Sequence, residues 1–239
     1  MKGDMVEKNS QNSMELLPHA LPTDYYDFGS YVSKERIITF WHQIDEILKI
    51  NPRRILEIGI GPRIACSFFK ECGIEVVTAD LNASLKPDIV ADVRELASAV
   101  KDKSFDAVLC ARVLHHIPFC DFEKSLRNLA IICHGEVVLT LPVDDFRLYF
   151  SFRVTSRRAM QFSIPLPLYL KRLALSARGE EHSYYAKLWK INSSSETRLD
   201  RVEEIIERHF YIKKSYPIAE DRSHHLFVLK KNGKFKSEG

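Results

Sequence analysis

The sequence lacks a long apolar run, a secretory leader and any regular spacing of its few cysteines. No stretch approaches the ~18 apolar residues that a membrane-spanning helix needs, and residues 1–8 lack the apolar centre of a signal peptide. The five cysteines form an odd set without a Cys-x-x-Cys pair, which argues against a disulfide framework or a zinc site. These absences predict a soluble cytoplasmic protein without a bound metal.

What the sequence contains is typical of one globular unit. Hydrophobic residues make up 45% of the 239 positions and charged residues 28%, which excludes a disordered chain. Residues 1–23 are polar and show no sustained periodicity, so we expect a flexible N-terminal tail there. The remainder, 24–239, is expected to form a single domain, since one core can accommodate that length.

Apolar strand-like runs and amphipathic segments alternate from Ser33 onward. Ser33 is a suitable cap for a first helix, which Asn51-Pro52 ends. That helix is expected to bury one apolar stripe: Ile37, Phe40, Trp41, Ile44, Ile47 and Leu48. Further helices are expected over 62–72, 121–134 and 198–210, and strands over 54–58, 74–80, 87–93, 105–110, 136–141, 211–216 and 225–229. This alternation predicts a doubly wound α/β fold with helices on both faces of a mainly parallel sheet.

The segment 143–190 interrupts the alternation after the fifth predicted strand. It carries nine basic against four acidic residues, together with nine aromatic residues. A segment that leaves the carboxyl end of a strand lies where α/β sheets bind ligands. We therefore expect an insertion that serves either as a lid over the acceptor or as a structural cap on the sheet.

Charged and glycine residues mark the ends of three successive predicted strands. Glu57, Gly59 and Gly61 end the first strand, where glycines let the backbone approach a ligand closely. Asp80 ends the second strand, and a carboxylate there can accept both hydroxyls of a ribose. Asp92 follows the third strand. The three acids together predict a nucleoside-containing cofactor.

A nicotinamide cofactor would use the same first turn, and two residues argue against it. Its fingerprint requires Gly or Ala at the position of Ile64, where helix and strand pack closely. The negative charge of Glu57 would oppose a diphosphate. Glu57 instead suits a cofactor with a positive centre and an ammonium group, which favours S-adenosylmethionine.

The ordered motifs resemble those of class I S-adenosylmethionine-dependent methyltransferases, and more narrowly the small type 11 family. The similarity rests on the runs 55–62, 78–80, 88–93, 105–110 and 113–118. It covers residues 32–142 well, and residues 198–231 in pattern. It implies a Rossmann-like, seven-stranded sheet whose last strand is antiparallel.

The resemblance also implies roles for individual residues. Asp80 would hold the ribose hydroxyls, and Asp92, beside the backbone of Val93, would hold the adenine amino group. Three residues would surround the methionine moiety: Glu57, Gly59 and Gly61.

The chemistry of the acceptor is less clearly written in the sequence. His115 and His116 follow the fourth strand and are candidates for a general base, because histidine titrates near neutral pH. Arg63, Arg112 and Lys190 depart from the family pattern. A catalytically inactive cofactor-binding scaffold or partner subunit therefore remains an alternative to the active methyltransferase.

The expected acceptor is a small molecule or a lipid. A pI of about 8.5 is low for a nucleic-acid-binding domain, and no signature of nucleic-acid methylation occurs, which disfavours DNA and RNA. The basic and aromatic segment 143–190 is suited to an anionic acceptor, or to peripheral contact with a membrane surface.

Overall fold

A computed structural model describes residues 28–101, 105–144, 147–155, 158–166, 189–221 and 223–232. The predicted tail 1–23 lies outside the described residues, and so does the larger part of 167–190 within the insertion.

Seven strands form one sheet in the order β3-β2-β1-β4-β5-β9-β8. Neighbours from β3 to β5 pair in parallel, whereas β9 is antiparallel to both β5 and β8. This arrangement confirms the predicted doubly wound sheet with an antiparallel last strand. The bounds of the seven strands are β1 Arg54–Ile58, β2 Glu75–Asp80, β3 Ile89–Val90, β4 Phe105–Ala111, β5 Cys133–Pro142, β8 Phe210–Pro217 and β9 His224–Lys231.

Helices cover both faces of this sheet. Their bounds are α1 Phe28–Tyr31, α2 Lys34–Ile50, α3 Ile64–Glu71, α4 Leu96–Ala99, α5 Phe122–Ile132 and α6 Leu199–Glu207. One core cluster joins α2 and α3 to the sheet, and the other joins α4, α5 and α6 to its opposite face. Consecutive positions of β1 serve both clusters: Ile55 packs in the first and Leu56 in the second. Because both faces are covered, the central strands are nearly continuous apolar runs.

The first long helix, α2, has the predicted ends, but the predicted apolar stripe is only partly correct. The Ser33 side chain accepts a hydrogen bond from the backbone N–H of Arg36, and Asn51 ends the helix in the left-handed conformation. Ile44 and Ile47 are buried as expected. Three predicted members of the stripe are exposed instead: Ile37, Trp41 and Leu48. Three polar residues are buried in their place: Thr39, Gln43 and Glu46.

Each buried polar side chain of α2 forms at least one polar contact, although Oε1 of Gln43 has no hydrogen-bond partner among the described residues. Glu46 accepts hydrogen bonds from Lys214 at 2.6 Å and from Lys49 at 3.1 Å. Gln43 donates to Thr140 in β5 at 3.2 Å. Buried polar groups are tolerated when such bonds are formed. The helix is therefore oriented by specific polar contacts as well as by its apolar residues.

The insertion leaves and returns at the same point of the sheet. Val143 forms a parallel bridge with Ile191, whose N–H donates to the carbonyl of Pro142 at 2.9 Å. Trp189 lies near the end of the insertion, and its indole N–H lies within 3.1 Å of the carbonyls of Leu114 and Ile117. The base of the insertion is thus fastened to the carboxyl end of β5 and to the turn after β4.

Within the insertion, two strands pair with each other and not with the main sheet. β6 Arg147–Thr155 and β7 Arg158–Pro165 form a separate antiparallel hairpin. Phe152 and Ile164 on this hairpin are 55% and 49% exposed. The hairpin therefore presents these two apolar side chains to solvent.

Three further observations concern the described residues alone. None of their helices combines the length and the apolar character needed to cross a membrane. All five cysteines are free thiols. No group of three His, Cys, Asp or Glu side chains in the described ranges is arranged to hold a metal ion.

Candidate active site

A cavity of about 340 Å³ opens at the carboxyl edge of the parallel strands. It lies where β1 is flanked by β2 and β4, which is the point at which the strand order reverses and where α/β sheets bind ligands. The structure brings all eight sequence-predicted site residues to the wall of this cavity: Glu57, Gly59, Gly61, Asp80, Asp92, Val93, His115 and His116.

Glu57 is a buried carboxylate at the end of β1, with only 5% of the residue exposed. Its Oε2 atom has no hydrogen-bond partner in the described part of the chain. Burial raises the pKa of Glu57 to about 8, against the opposing charge of Arg63. Burying a carboxyl group that has one oxygen without a partner is costly, so this position is suited to a ligand that brings a positive charge or a donor.

The turn after β1 can be built only with glycine at its first position. Gly59 has a φ of 78°, and its N–H donates to the carbonyl of Ala79 at 2.8 Å. A Cβ atom at Gly59 would lie 2.3 Å from Cγ2 of Val113. The turn therefore keeps the backbone close to the cavity without any side chain on this residue.

Arg63 lies in the first turn and adopts the left-handed conformation that glycine favours. Its φ is 61°, and its guanidinium donates to the carbonyls of Leu85 and Lys86. The side chain thus joins the first turn to the loop after β2. Arg63 does not belong to the cavity wall, whose composition includes Gly61 and Pro62 on this side.

Asp80 ends β2 with its carboxylate held by two backbone groups. Oδ2 accepts from the N–H of Ile60 at 3.0 Å, and Oδ1 accepts from the N–H of Asn82 at 2.8 Å. Burial raises the pKa of Asp80, although these two hydrogen bonds act in the opposite direction. Each carboxylate oxygen can accept a further bond, so the group is oriented and still able to bind a diol.

Asp92 differs from Asp80 because its carboxylate is already paired. It caps a short 3-10 turn, Val93–Glu95, by accepting from the N–H of Arg94 at 2.8 Å. The Arg94 guanidinium also donates to Asp92 Oδ2 at 2.6 Å. Burial opposes ionisation, but the bonds from Arg94 outweigh it and hold the pKa of Asp92 below its ordinary value. Contact between Asp92 and an adenine amino group stays a prediction.

His115 and His116 lie in a 3-10 turn after β4, with their ring centroids 4.0 Å apart. Burial, with added repulsion from His116 and Arg112, lowers the pKa of His115 well below its ordinary value. Burial and Arg112 lower the pKa of His116 to about 4. Both rings are therefore neutral at physiological pH.

The cavity wall also contains residues that the sequence patterns did not single out as site residues. Several are basic or polar and come from α2, from the last residue of the insertion and from the point where the chain enters β9: Arg36, Thr39, Gln43, Lys190, Ser223 and His224. For Thr39 and Gln43, a spacing of four residues, which places both on one face of α2, was the signal that could have indicated their place on the wall. For the residues near β9, no local signal existed.

The charges divide the wall into two kinds of surface. Carboxyl groups lie at the carboxyl ends of β1 and β2 and shortly after β3. Positive charge elsewhere on the wall comes from Arg36, Arg112 and Lys190. The carboxyl groups of Glu57 and Asp80 offer no positive charge to a diphosphate, and they do suit a ligand with an ammonium group and a ribose. The wall thus fits S-adenosylmethionine on the acidic side and leaves basic groups for a second ligand.

Solved structures share this fold at low sequence identity. The 1,6-didemethyltoxoflavin-N1-methyltransferase of Burkholderia thailandensis is 16% identical with a TM-score of 0.53, covering 88% of this chain and 84% of that one. The PH0226 protein of Pyrococcus horikoshii OT3 is 15% identical with a TM-score of 0.52, covering 89% and 100%. A TehB-like methyltransferase of Corynebacterium glutamicum is 15% identical with a TM-score of 0.51, covering 83% and 97%.

Sequence comparison identifies the family. No curated protein matches the chain. A sequence model of the methyltransferase domain matches residues 32–184, which is more than half of the chain and includes every predicted site residue. The chain therefore belongs to the methyltransferase domain family, and it is a class I, S-adenosylmethionine-dependent methyltransferase.

Proposed function

We propose that this protein transfers a methyl group from S-adenosylmethionine to a small-molecule acceptor. The observation that carries the proposal is the buried, partnerless oxygen of Glu57, which lies in one cavity with the oriented carboxylate of Asp80. When bound, the cofactor supplies a methyl group on a positively charged sulfur. The residues of this chain then hold the cofactor, align the acceptor and exclude water.

The assignment of roles follows the geometry of the wall. Glu57 is suited to the ammonium group, and the glycine turn at Gly59 and Gly61 leaves space beside it. Asp80 is suited to the ribose hydroxyls, because its two oxygens are oriented by backbone donors. The turn at Val93 is suited to the adenine ring.

A small molecule is the acceptor class that the cavity supports best. Arg36, Arg112 and Lys190 favour an acceptor with negative or strongly polar groups. The Burkholderia thailandensis structure is described with a small heterocycle, 1,6-didemethyltoxoflavin, and with S-adenosylhomocysteine. That likeness in fold supports a similar class of acceptor here. A lipid headgroup would present comparable chemistry.

Cofactor choice gives the first prediction. We expect S-adenosylhomocysteine to bind and NAD not to bind. The ammonium group of the first can ionise Glu57, whose pKa in the free protein is about 8, and Ile64 departs from the dinucleotide fingerprint that NAD requires. Isothermal titration of the wild-type protein with each compound measures both affinities. Tight binding of NAD, together with no binding of S-adenosylhomocysteine, would show that the assignment is wrong.

Replacement of Asp80 by Ala should lower the affinity for S-adenosylhomocysteine by at least about tenfold. Two charge-assisted hydrogen bonds of roughly 1.5–3 kcal/mol each are lost, and ~1.4 kcal/mol is one decade. Asp106→Ala is the matched control. The Asp106 carboxylate also accepts from two backbone N–H groups, those of Arg53 and Arg54, but it lies near the opposite edge of the sheet. Equal affinities for the two variants would contradict a role of Asp80 in binding ribose.

A further inference from the structure

An aspartate and a histidine meet where the chain enters β9. His224 is the first residue of β9 and lies opposite Pro142, the last residue of β5. Because β9 is antiparallel, its first residue lies at the carboxyl edge of the parallel strands. His224 consequently lines the same cavity as Glu57.

Asp221 is held in place by donors from two parts of the chain. Its Oδ2 accepts from Oγ1 of Thr39 in α2 at 2.6 Å and lies 2.9 Å from Nδ1 of His224. Its Oδ1 accepts from Oγ of Ser223 at 2.6 Å. Both Asp221 and His224 are buried. The aspartate is therefore anchored between α2 and β9.

These contacts determine which nitrogen of His224 carries the proton. Burial alone would favour a neutral carboxyl, but the bonds from His224, Ser223 and Thr39 hold the pKa of Asp221 well below its ordinary value. Oγ of Ser223 also lies 2.8 Å from Nδ1 of His224, but its proton is donated to Asp221. Because an ionised carboxylate only accepts hydrogen bonds, Nδ1 of His224 is the donor in its contact with Asp221. Nε2 of the neutral ring then keeps a lone pair.

Burial, more than the charged groups nearby, keeps the ring of His224 neutral. Burial is the main cause that lowers the pKa of His224, the charges of Arg112 and Arg36 add to it, and the bond to Asp221 opposes it. His115 also interacts electrostatically with His224, and it is neutral. A neutral imidazole with a carboxylate behind it can take up a proton, because the carboxylate stabilises the imidazolium that forms.

His115 and His116 fit the part of a base less well. Among the described residues, Nδ1 of His115 has no hydrogen-bond partner, and neither ring is paired with a carboxylate. A proton on either ring would be repelled by Arg112. His224 differs from both because Asp221 compensates that repulsion.

We propose that His224, oriented by Asp221, is the catalytic base, and that the acceptor is an oxygen or nitrogen nucleophile that carries a proton. This inference rests on the proposed function. The acceptor's oxygen or nitrogen forms the new bond to the methyl carbon, and the electron pair of the broken carbon–sulfur bond stays on sulfur. The acceptor's proton goes to Nε2 of His224. Asp221 is a positioning residue for that ring.

The test begins with the protonation state of the ring, which needs no acceptor. ¹⁵N NMR of the histidine side chains, with and without S-adenosylhomocysteine, identifies the signal of His224 by its loss in His224→Gln. We expect a neutral ring protonated on Nδ1 at pH 7. In Asp221→Asn the pKa of His224 should fall, because the carboxylate no longer favours the charged ring. A ring protonated on Nε2 in the wild-type protein would overturn the proposal.

Methyl transfer is then measured with tritium-labelled S-adenosylmethionine and a protein-free metabolite extract of the source cells. His224→Gln should lower the rate at least about a hundredfold. Its affinity for S-adenosylhomocysteine should stay within about twofold of the wild-type value, which would also show that the variant folds. His42→Gln is the matched control, since His42 pairs with Glu220 at 3.3 Å but does not line the cavity. The rate of His42→Gln should stay at the wild-type level.

The remaining outcomes separate the two proposals. The assignment of the base would be overturned if His224→Gln kept more than one tenth of the wild-type rate. It would also be overturned if His115→Gln or His116→Gln lowered the rate more than His224→Gln does. Wild-type protein that neither binds S-adenosylhomocysteine nor transfers label would instead contradict the proposed function.

The wild-type rate should increase with pH through the pKa of His224 measured by NMR, because only the neutral ring accepts a proton. A rate independent of pH in that range would also count against His224.

Discussion

Glu57→Gln is expected to stabilise the free protein at neutral pH and to weaken its binding of S-adenosylhomocysteine. Burial raises the pKa of Glu57 from 4.5 to about 8, so the folded protein binds this proton more tightly than the unfolded chain. The free energy of unfolding therefore falls as the pH rises from about 4.5 to about 8. At pH 7 the free energy of unfolding is about 3 kcal/mol lower than below pH 4.5, at ~1.4 kcal/mol per pKa unit. Gln does not ionise, so the variant does not lose this stability.

Binding should change in the opposite direction. The amide of Gln cannot neutralise the ammonium group of the ligand, so the affinity should fall at least about tenfold, which corresponds to ~1.4 kcal/mol. Urea unfolding of both proteins between pH 5 and pH 8.5 measures the stability, and isothermal titration measures the affinity. Glu75→Gln serves as the control, because the Glu75 carboxylate is 63% exposed at the start of β2. Parallel pH dependences for wild type and Glu57→Gln would contradict the burial argument.

Replacing the hairpin Arg147–Pro165 by a short Gly/Ser linker should abolish methyl transfer and leave cofactor binding intact. The hairpin forms its own sheet, and the base of the insertion is fastened independently by Val143 and Ile191. Removing the hairpin therefore leaves the seven-stranded core unchanged. The prediction follows from a lid role for the insertion, which leaves the sheet at the edge that contains the cavity.

The deletion is judged by three measurements on one protein. Thermal unfolding and S-adenosylhomocysteine affinity should stay close to the wild-type values, while transfer of labelled methyl to the metabolite extract is lost. Phe152→Ser is a milder variant on the same element, since this side chain is 55% exposed and its loss should not affect folding. A shortened protein that unfolds or loses cofactor affinity together with activity would show that the hairpin is a structural part of the core.

Local patterns were sufficient for the parallel strands and for the acidic side of the cavity, whereas the antiparallel last strand was implied by the resemblance to the family. A buried parallel strand requires a run of apolar residues, and the residues at its carboxyl end lie beside the ligand. Both requirements are visible within about ten residues, so the strand containing Ile55 and the positions of Glu57 and Asp80 were predictable. The ordered motifs then led to the family, because several of them recur at the ends of successive strands.

Tertiary structure alone decided which face of α2 is buried and where the pair of Asp221 and His224 lies. Ile37 and Trp41 satisfy helical periodicity, yet they face solvent, because Gln43 and Glu46 bond to residues distant in sequence. Thr39 and Asp221 are 182 residues apart, and only the pairing of β9 with β5 brings them together beside His224. Sequence periodicity records which residues one element could bury. The contacts between elements determine which of them it does bury, and these contacts exist only in the folded chain.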